Sequence, residues 1–426
     1  MLTAITGINW GDEGKGRMVD LISQEYDIVA RYQGGNNAGH TVKNERGKFV
    51  LNLLPSGILR PNVVCVMGNG MVIDPHHLDG EINKLREQGV EISPANLKIS
   101  DRATITMPYH VEQDGLEEAR LSKTGAQFGS TKRGIAYAYG DKYMKKTLRM
   151  GDLLHLDDAV KKRLVTMVDS KNLVMEGSYN AAPISVDEMW AWLEKYAAIF
   201  KDYICDVGQY LADADAAGKK VLFEAQLGAL RDIDFGIYPY TSSSSTIAAY
   251  APIGAGIPAR RLDSVVGIMK AYSSCVGEGP FTCELFGEEA HELREAGGEY
   301  GAATGRPRRV GGFDVVASRY GAMMQGCTDI ALTKLDVLGY MDKIPVCAHY
   351  ELNGEQTDDF PFPVLLQDAK PVVEYLPGWQ CDISGARNWE DLPEAARSYV
   401  EYVEKAIGCH IGYVSVGAER ESLIVR

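Results

Sequence analysis

Apolar residues along this chain fall into short runs separated by glycine-rich turns. Leu2 to Ile8, Ile28 to Tyr32, Val63 to Met67, Val221 to Glu224 and Ile411 to Val414 have the length of buried strands. Between them, Met18 to Ile22 and Asp79 to Gln88 read as helices, the second amphipathic. Residues 157–220 are the most helical part. There Ser185-Val186-Asp187-Glu188 has the form of a capping box. After it Met189, Leu193, Tyr196, Phe200, Tyr203 and Val207 recur at helical spacing. A tail helix starts near Pro393, with Ala396, Tyr399, Val400 and Val403 on one face. Strands alternating with helices predict an α/β fold, with a mainly parallel central β-sheet flanked by helices. In such sheets ligands bind in the loops beyond the carboxyl ends of the strands.

Composition narrows the function. With 426 residues, 45% hydrophobic and 24% charged, the chain can bury a large core. A net charge of −14 argues against a nucleic-acid partner, which needs a basic face. The best apolar stretch, Ile247 to Ile257, is too short for a membrane span and is broken by Tyr250, Pro252 and glycines. The first residues carry no basic region or cleavage signal, so a cytoplasmic location is expected. Eight cysteines, at 65, 205, 275, 283, 327, 347, 381 and 409, form no CxxC pair and are expected to be free thiols.

The first run leads into Trp10-Gly11-Asp12-Glu13-Gly14-Lys15-Gly16-Arg17 and then a helix. A strand, a glycine-rich turn and a helix can cradle phosphate with backbone N–H groups and the helix dipole, and Lys15 adds a mobile cation. The standard phosphate-loop motif would need glycine at Asn9 and Ser or Thr at Gly16. A magnesium ligand must then come from elsewhere, and Asp12 is the candidate. Glycine spacing alone leaves an ordinary tight turn with a solvated acid–lysine pair equally open.

Two further stretches bear on that choice. Gln33 to Thr41 is a second glycine-rich turn after a strand-like run. Leu332-Thr333-Lys334-Leu335-Asp336 ends an apolar run, and a Lys-x-Asp at a strand end can read guanine. Its carboxylate accepts from N1–H and the 2-amino group, a donor pair adenine lacks. Ser122 to Gly140, including Phe128-Gly129-Ser130-Thr131-Lys132-Arg133-Gly134, lacks periodicity and reads as a ligand loop or a mobile surface loop. The serine run after Tyr238-Pro239-Tyr240-Thr241 suits phosphate or ribose contact, or is a plain loop. Arg306, Arg308 and Arg309 close a glycine-rich stretch and suit carboxylate or phosphate capture, or are solvated charge.

Together with Pro55-Ser56-Gly57-Ile58-Leu59, Gly68-Asn69-Gly70, Lys270-Ala271-Tyr272-Ser273, Thr304-Gly305-Arg306 and Leu376-Pro377-Gly378-Trp379, these blocks resemble the adenylosuccinate synthetase family in order and separation, from Ile5 to about Arg420. The resemblance implies a P-loop-like GTP-binding ligase fold, one domain over residues 1–426 with a helical subregion at about 150–220, and a homodimer. It implies a GTP-dependent ligase of purine biosynthesis that joins IMP and L-aspartate. GTP would phosphorylate the 6-oxygen, and the aspartate amine would then displace phosphate, giving adenylosuccinate, GDP and phosphate. The competing expectation is a divergent paralogue that activates another 6-oxopurine nucleotide or uses another amine donor.

Site roles follow from the same resemblance. Asp12 would take the N1 proton and bind Mg2+, with the Gly39 carbonyl as a second metal contact. His40 would act as acid toward the γ-phosphoryl group, and Gln226 would join these two at the reaction centre. GTP would lie on Gly11, Asp12, Glu13, Gly14, Lys15, Gly16, Arg17, Gly39, His40 and Thr41, with Arg308 nearby. Its guanine would meet Lys334, Leu335 and Asp336, closed by Ser415, Val416 and Gly417. IMP would meet Asp12, Lys15, Asn37, His40, Thr131, Gln226, Thr241 and Arg306, and Lys145 would reach it from the partner subunit. Aspartate would meet Ala302, Ala303, Thr304, Gly305, Arg306 and Arg308.

Several positions depart from the family pattern. Lys145 stands for arginine, which keeps charge but loses the two-pronged geometry. The glutamine of the Phe-Glu-Gly-Ala-Gln-Gly segment comes one place early, at Gln226, so Leu227 holds its strict position. Thr241 is likewise early, with Ser242 in its place. Lys132 replaces glycine, Ala136-Tyr137 replaces Gly-Pro, Phe235 replaces histidine, Ala303 replaces threonine and Cys275 replaces arginine. The changes cluster around the IMP and aspartate elements, and the phosphate and guanine elements are intact.

Overall fold

A computed structural model describes every residue except 45–46, 127–128, 302–304 and 306; the side chains of 43–44 are also outside the description. The chain builds a ten-stranded sheet. In chain order its strands are β1 (Leu2–Gly7), β2 (Ile28–Arg31), β3 (Val64–Met67), β4 (Leu97–Ser100), β5 (Ile204–Cys205), β6 (Val221–Glu224), β7 (Ser264–Lys270), β8 (Asp329–Thr333), β9 (Ile411–Ser415) and β10 (Leu423–Val425). They lie in the order β10-β9-β8-β7-β1-β6-β2-β3-β4-β5. All neighbours pair in parallel except β9 with β10.

β1 is central because it can be buried on both faces. All six of its residues are buried, as expected for a continuous apolar run in a parallel sheet. Ile5 points into a core shared with Val29, Met67, Leu164 and Leu193, on the side of the long helices. Leu2 and Ala4 point the other way, toward Val66, Phe223, Leu211 and Ala251. A four-stranded sheet, built on Lys343–Leu352, stands beside the main one.

Local sequence explains most element ends. The helix expected from Asp79 begins earlier, at Pro75, because Asp74 caps it through the His76 and His77 amides at 3.0 and 3.2 Å. Ser185 caps Val186–Phe200 through the Glu188 amide at 3.3 Å. The stripe expected to run to Val207 is helical only to Phe200. Ile204–Cys205 pairs with β4 as the sheet edge, and Val207 opens a separate helix on the opposite core. Between Ser122 and Gly140 the second half is also helical, over Ile135–Met144. Only Ile135, Ala138 and Tyr139 of that helix carry buried apolar groups, too few to show a period. The tail helix, Glu394–Ile407, buries the four residues expected of it. All eight cysteines are free thiols. Among the described residues no helix is long and apolar enough to cross a membrane.

Candidate active site

The residues expected to meet GTP and the reacting groups gather mostly beyond the carboxyl ends of β1, β2, β6, β8 and β9. After β1 the backbone turns through left-handed φ at Gly11 (100°), Asp12 (61°) and Gly14 (100°) before the helix Lys15–Ile22. The glycines carry this at no steric cost, and aspartate is among the few side chains that tolerate it. The buried Glu13 carboxylate accepts from the Gly11 amide at 2.8 Å, the Asn9 amide at 3.2 Å and Lys15 Nζ at 2.5 Å. Loop amides and a lysine therefore converge on one anionic group, which is how a phosphate cradle is made. Gly16 must lack a side chain, since a Cβ there would lie 2.7 Å from His40 Cβ.

That contact seats His40 against the first turn of the helix. Its Nδ1 hydrogen-bonds the fully buried Glu224 carboxylate at the end of β6. Glu224 also accepts from the Ser56 amide and hydroxyl, both at 2.7 Å. Burial pushes the His40 pKa down and outweighs the pull of Glu224. Burial alone would raise Glu224, but His40, Arg31 and Ser56 reverse that and hold it ionised. The pair shares one buried hydrogen bond between an imidazole and a carboxyl whose pKa values are both held low. His40 Nε2 is buried without a partner among the described residues.

A second network escaped the sequence reading. Glu299, fully buried, accepts from Lys270 Nζ at 2.7 Å, Tyr272 Oη at 2.5 Å and Arg308 Nη1 at 2.8 Å, and lies 3.7 Å from Lys334. Burial opposes its charge, yet Lys270, Lys334 and Arg308 hold its pKa at about 2. Arg308 also pairs with Asp12 at 3.0 Å, and those two acids raise its pKa against the lowering effect of burial. Glu299 thereby links the Asp12 loop to Lys334. The Lys270 to Ser273 block was the available signal, but nothing in the sequence points from it to Glu299.

At the end expected to read the base, Lys334 sits at φ 60° and donates to the Gly297 carbonyl. Asp336 is part-buried, and burial raises its pKa. Arg17 donates to Ser415 Oγ and to the Glu419 carbonyl at 2.7 Å, joining the helix after β1 to the loop after β9. Thr333 Oγ1 donates to the Glu13 carbonyl at 2.8 Å, tying β8 to the phosphate loop.

The IMP set is more dispersed. Asn37 Oδ1 is buried and unpartnered among the described residues. Gln226 is fully buried, and its amide is committed to the second glycine turn: Oε1 accepts from Gly35 N at 3.1 Å, and Nε2 donates to Gly35 O at 3.0 Å and Ala38 O at 3.3 Å. Those bonds hold that loop. Leu227, at φ 64°, stands at the strict family position, and a Cβ on Gly11 would lie 3.6 Å from its Cδ2. Thr131 and Lys145 are exposed, and Lys145 ends its helix at φ 63°. Thr241 is half-buried. Ala302, Ala303, Thr304 and Arg306, like Phe128, lie outside the described residues; Gly305 is exposed and donates to the Gly301 carbonyl at 2.8 Å.

A metal would find oxygen donors but no cage. No group of three His, Cys, Asp or Glu side chains among the described residues could hold an ion. Asp12 offers one carboxylate, and Gly39 is exposed beside His40. This fits Mg2+, which takes one or two protein oxygens and completes its shell with phosphate and water.

A parallel sheet, an anion cradle at a helix N-terminus and a Lys-x-Asp beside it define a nucleotide-binding α/β protein. The family model for adenylosuccinate synthetase matches residues 4–424. The chain belongs to the adenylosuccinate synthetase family. It is 43% identical over 425 residues to the adenylosuccinate synthetase of Caldanaerobacter subterraneus subsp. tengcongensis, covering 100% of this chain and 99% of that one. It is 44% identical over 418 residues to that of Streptococcus sanguinis, covering 98% and 96%. The structure of fully ligated adenylosuccinate synthetase from Plasmodium falciparum superposes with a TM-score of 0.92 at 36% identity, over 100% of this chain and 99% of that one. Succinoaminodeoxyadenylate synthetase of cyanophage S-2L, at 18% identity and a TM-score of 0.63, covers 100% of this chain and 95% of that one; it shares the fold.

Proposed function

We propose that this chain is a GTP-dependent ligase that joins IMP and L-aspartate to form adenylosuccinate, with release of GDP and phosphate. The observation that carries the reading is the buried His40–Glu224 dyad, packed against the first turn of the helix that follows the Asp12 loop. The 6-oxygen of a purine is a poor leaving group. Asp12 takes the N1 proton and makes that oxygen nucleophilic toward the γ-phosphoryl group. His40 presents Nε2 to that group. The approach of a polyphosphate anion favours the imidazolium, and Glu224 stabilises the charge that forms on the ring. Lys15 neutralises charge on the transferring oxygens. Asp12 and the Gly39 carbonyl would hold Mg2+, whose charge would add to that neutralisation.

Asp336 and Lys334 read guanine, with Arg17 and Ser415 closing the pocket. Asn37, Thr131 and Thr241 surround IMP, while Gln226 shapes the turn that carries Asn37. Arg308 turns from Asp12 toward the nucleotides, and the loop from Ala302 to Arg308, including Arg306, receives aspartate. Lys145 reaches the IMP phosphate of a partner subunit, which makes the homodimer the active form. The single-domain organisation and a cytoplasmic site of action belong to the same reading.

The test is phosphate release from GTP with IMP and Mg2+, with and without L-aspartate, and the product mass. Aspartate-dependent release with adenylosuccinate formed is expected. GTP binding without such a product would overturn the reading.

A further inference from the structure

Arg231 ends a single helical turn, Ala229–Arg231, just after the Gln226 segment, and is 9% exposed. Its guanidinium donates to the Tyr240 carbonyl, to the Val276 carbonyl at 2.5 Å and to the Glu278 carbonyl at 3.5 Å. Nη2 also lies 3.1 Å from Cys275 Sγ. The Arg231 backbone carbonyl accepts from the Ser242 amide at 2.8 Å. One residue therefore grips both neighbours of Thr241, Tyr240 through its side chain and Ser242 through its backbone.

The second loop in this grip is the turn 276–279. It packs directly on the first, since a Cβ on Gly279 would lie 2.8 Å from the Tyr240 ring. Arg309 holds the same turn from the other side, donating to the Gly279 carbonyl at 2.7 Å while anchored on Glu284 at 2.9 Å. Carbonyls spread over two loops suit the wide planar fork of a guanidinium better than a compact ammonium. Position 275, where the family pattern carries arginine, is here a buried cysteine that cannot span the gap. Arg231 reaches that cysteine from the opposite loop.

We propose that Arg231 is a positioning residue for the nucleotide that accepts the phosphoryl group. It fixes Thr241 and Ser242 and supplies, from position 231, the guanidinium that is missing at position 275. This rests on the reading that Thr241 and its neighbour face IMP.

The experiment uses the full chain with Arg231→Leu, Arg231→Lys and the double variant Arg231→Leu/Cys275→Arg. In Arg231→Leu the KM for IMP rises about tenfold or more, the scale of losing hydrogen bonds from a charged group, while the KM for GTP stays within about twofold. Arg231→Lys recovers only part of the loss. The double variant returns the KM for IMP to within about threefold of the parent, because an arginine again lies between the loops. An unchanged KM for IMP, an equal rise for all three substrates, or no rescue by Cys275→Arg would overturn the proposal. Hydrogen exchange of the amides at 240–246 and 276–280, measured without substrates, is expected to quicken in Arg231→Leu and slow again in the double variant. Unchanged exchange would overturn the two-loop clamp whatever the substrate. A parent protein that makes no product from IMP overturns the substrate reading itself, and the exchange data then decide alone whether Arg231 holds the loops.

Discussion

The two halves of the site are built differently. The proposed GTP half rests on strand ends: the turn after β1, Lys334 after β8 and Ser415 at the end of β9, cross-tied by Thr333, Arg17 and Glu299. The proposed IMP half rests on loops and helix ends: Asn37, Thr131, Lys145 and Thr241. The departures from the family pattern named above spare the turn after β1, Lys334 and Ser415 themselves, although Leu227 packs against Gly11 of that turn. A residue at the end of a buried strand is constrained by its neighbours on both sides. A residue on a loop can change if another group takes over its contacts, as proposed for Arg231.

That contrast can be broken at its strongest point first. Asp12→Ala is expected to lower kcat by about a thousandfold, within the range for losing a positioned base, while the melting temperature stays near that of the parent. Retained activity would remove Asp12 from the chemistry. Next comes Glu299→Gln, which leaves Lys270 buried without its counter-charge and should cost about 3 kcal/mol in chemical denaturation. Glu299 has a folded pKa of about 2, well below its ordinary value of 4.5, so its stabilisation is present above about pH 4.5 and fades as pH falls toward 2. The variant should therefore show a shallower loss of stability over that acid range, and an identical pH profile would argue against the network.

Asp336→Asn tests the base reader and is expected to raise the KM for GTP by about 10–100-fold with little change for IMP. Equal loss of both would show that Lys334 and Asp336 do not select guanine. The smallest effect belongs to the loop half. Lys145→Arg restores a two-pronged donor and should lower the KM for IMP by no more than about fivefold. A larger change would mean that the loop half is as tightly constrained as the strand half.

The same division governs what could be read from the sequence. The phosphate and guanine segments were legible because each opens at the end of an apolar run and carries its own charged groups, as the segments with Lys15 and Asp336 do. Glu299 was not, since no residue near it in the chain names its partners; Lys270, Arg308 and Lys334 meet it only when three separate segments converge. The helix Ile135–Met144 was hidden because its burial depends on Tyr139 Oη, which accepts from the Gly34 amide at 2.9 Å and donates to the Gly70 carbonyl at 2.8 Å. Asp74 was a missed signal of the opposite kind, since Asp-Pro before an amphipathic run marks a helix start by local rules alone. The fate of Gln226 needed the fold, because spacing cannot tell an amide aimed at a ligand from one absorbed by Gly35.

The bond from Thr333 to the Glu13 carbonyl makes the sheet a ruler. β8 and β1 stand two strand spacings apart, about 10 Å, with β7 between them. The base reader hangs from one mark and the phosphate loop from the other. In the proposed site, nucleotide length is gauged by backbone pairing and not by any side chain that touches the sugar. Changing which triphosphate fits by mutating contacts would leave that calibration intact. Lengthening or shortening the donor would require moving a strand.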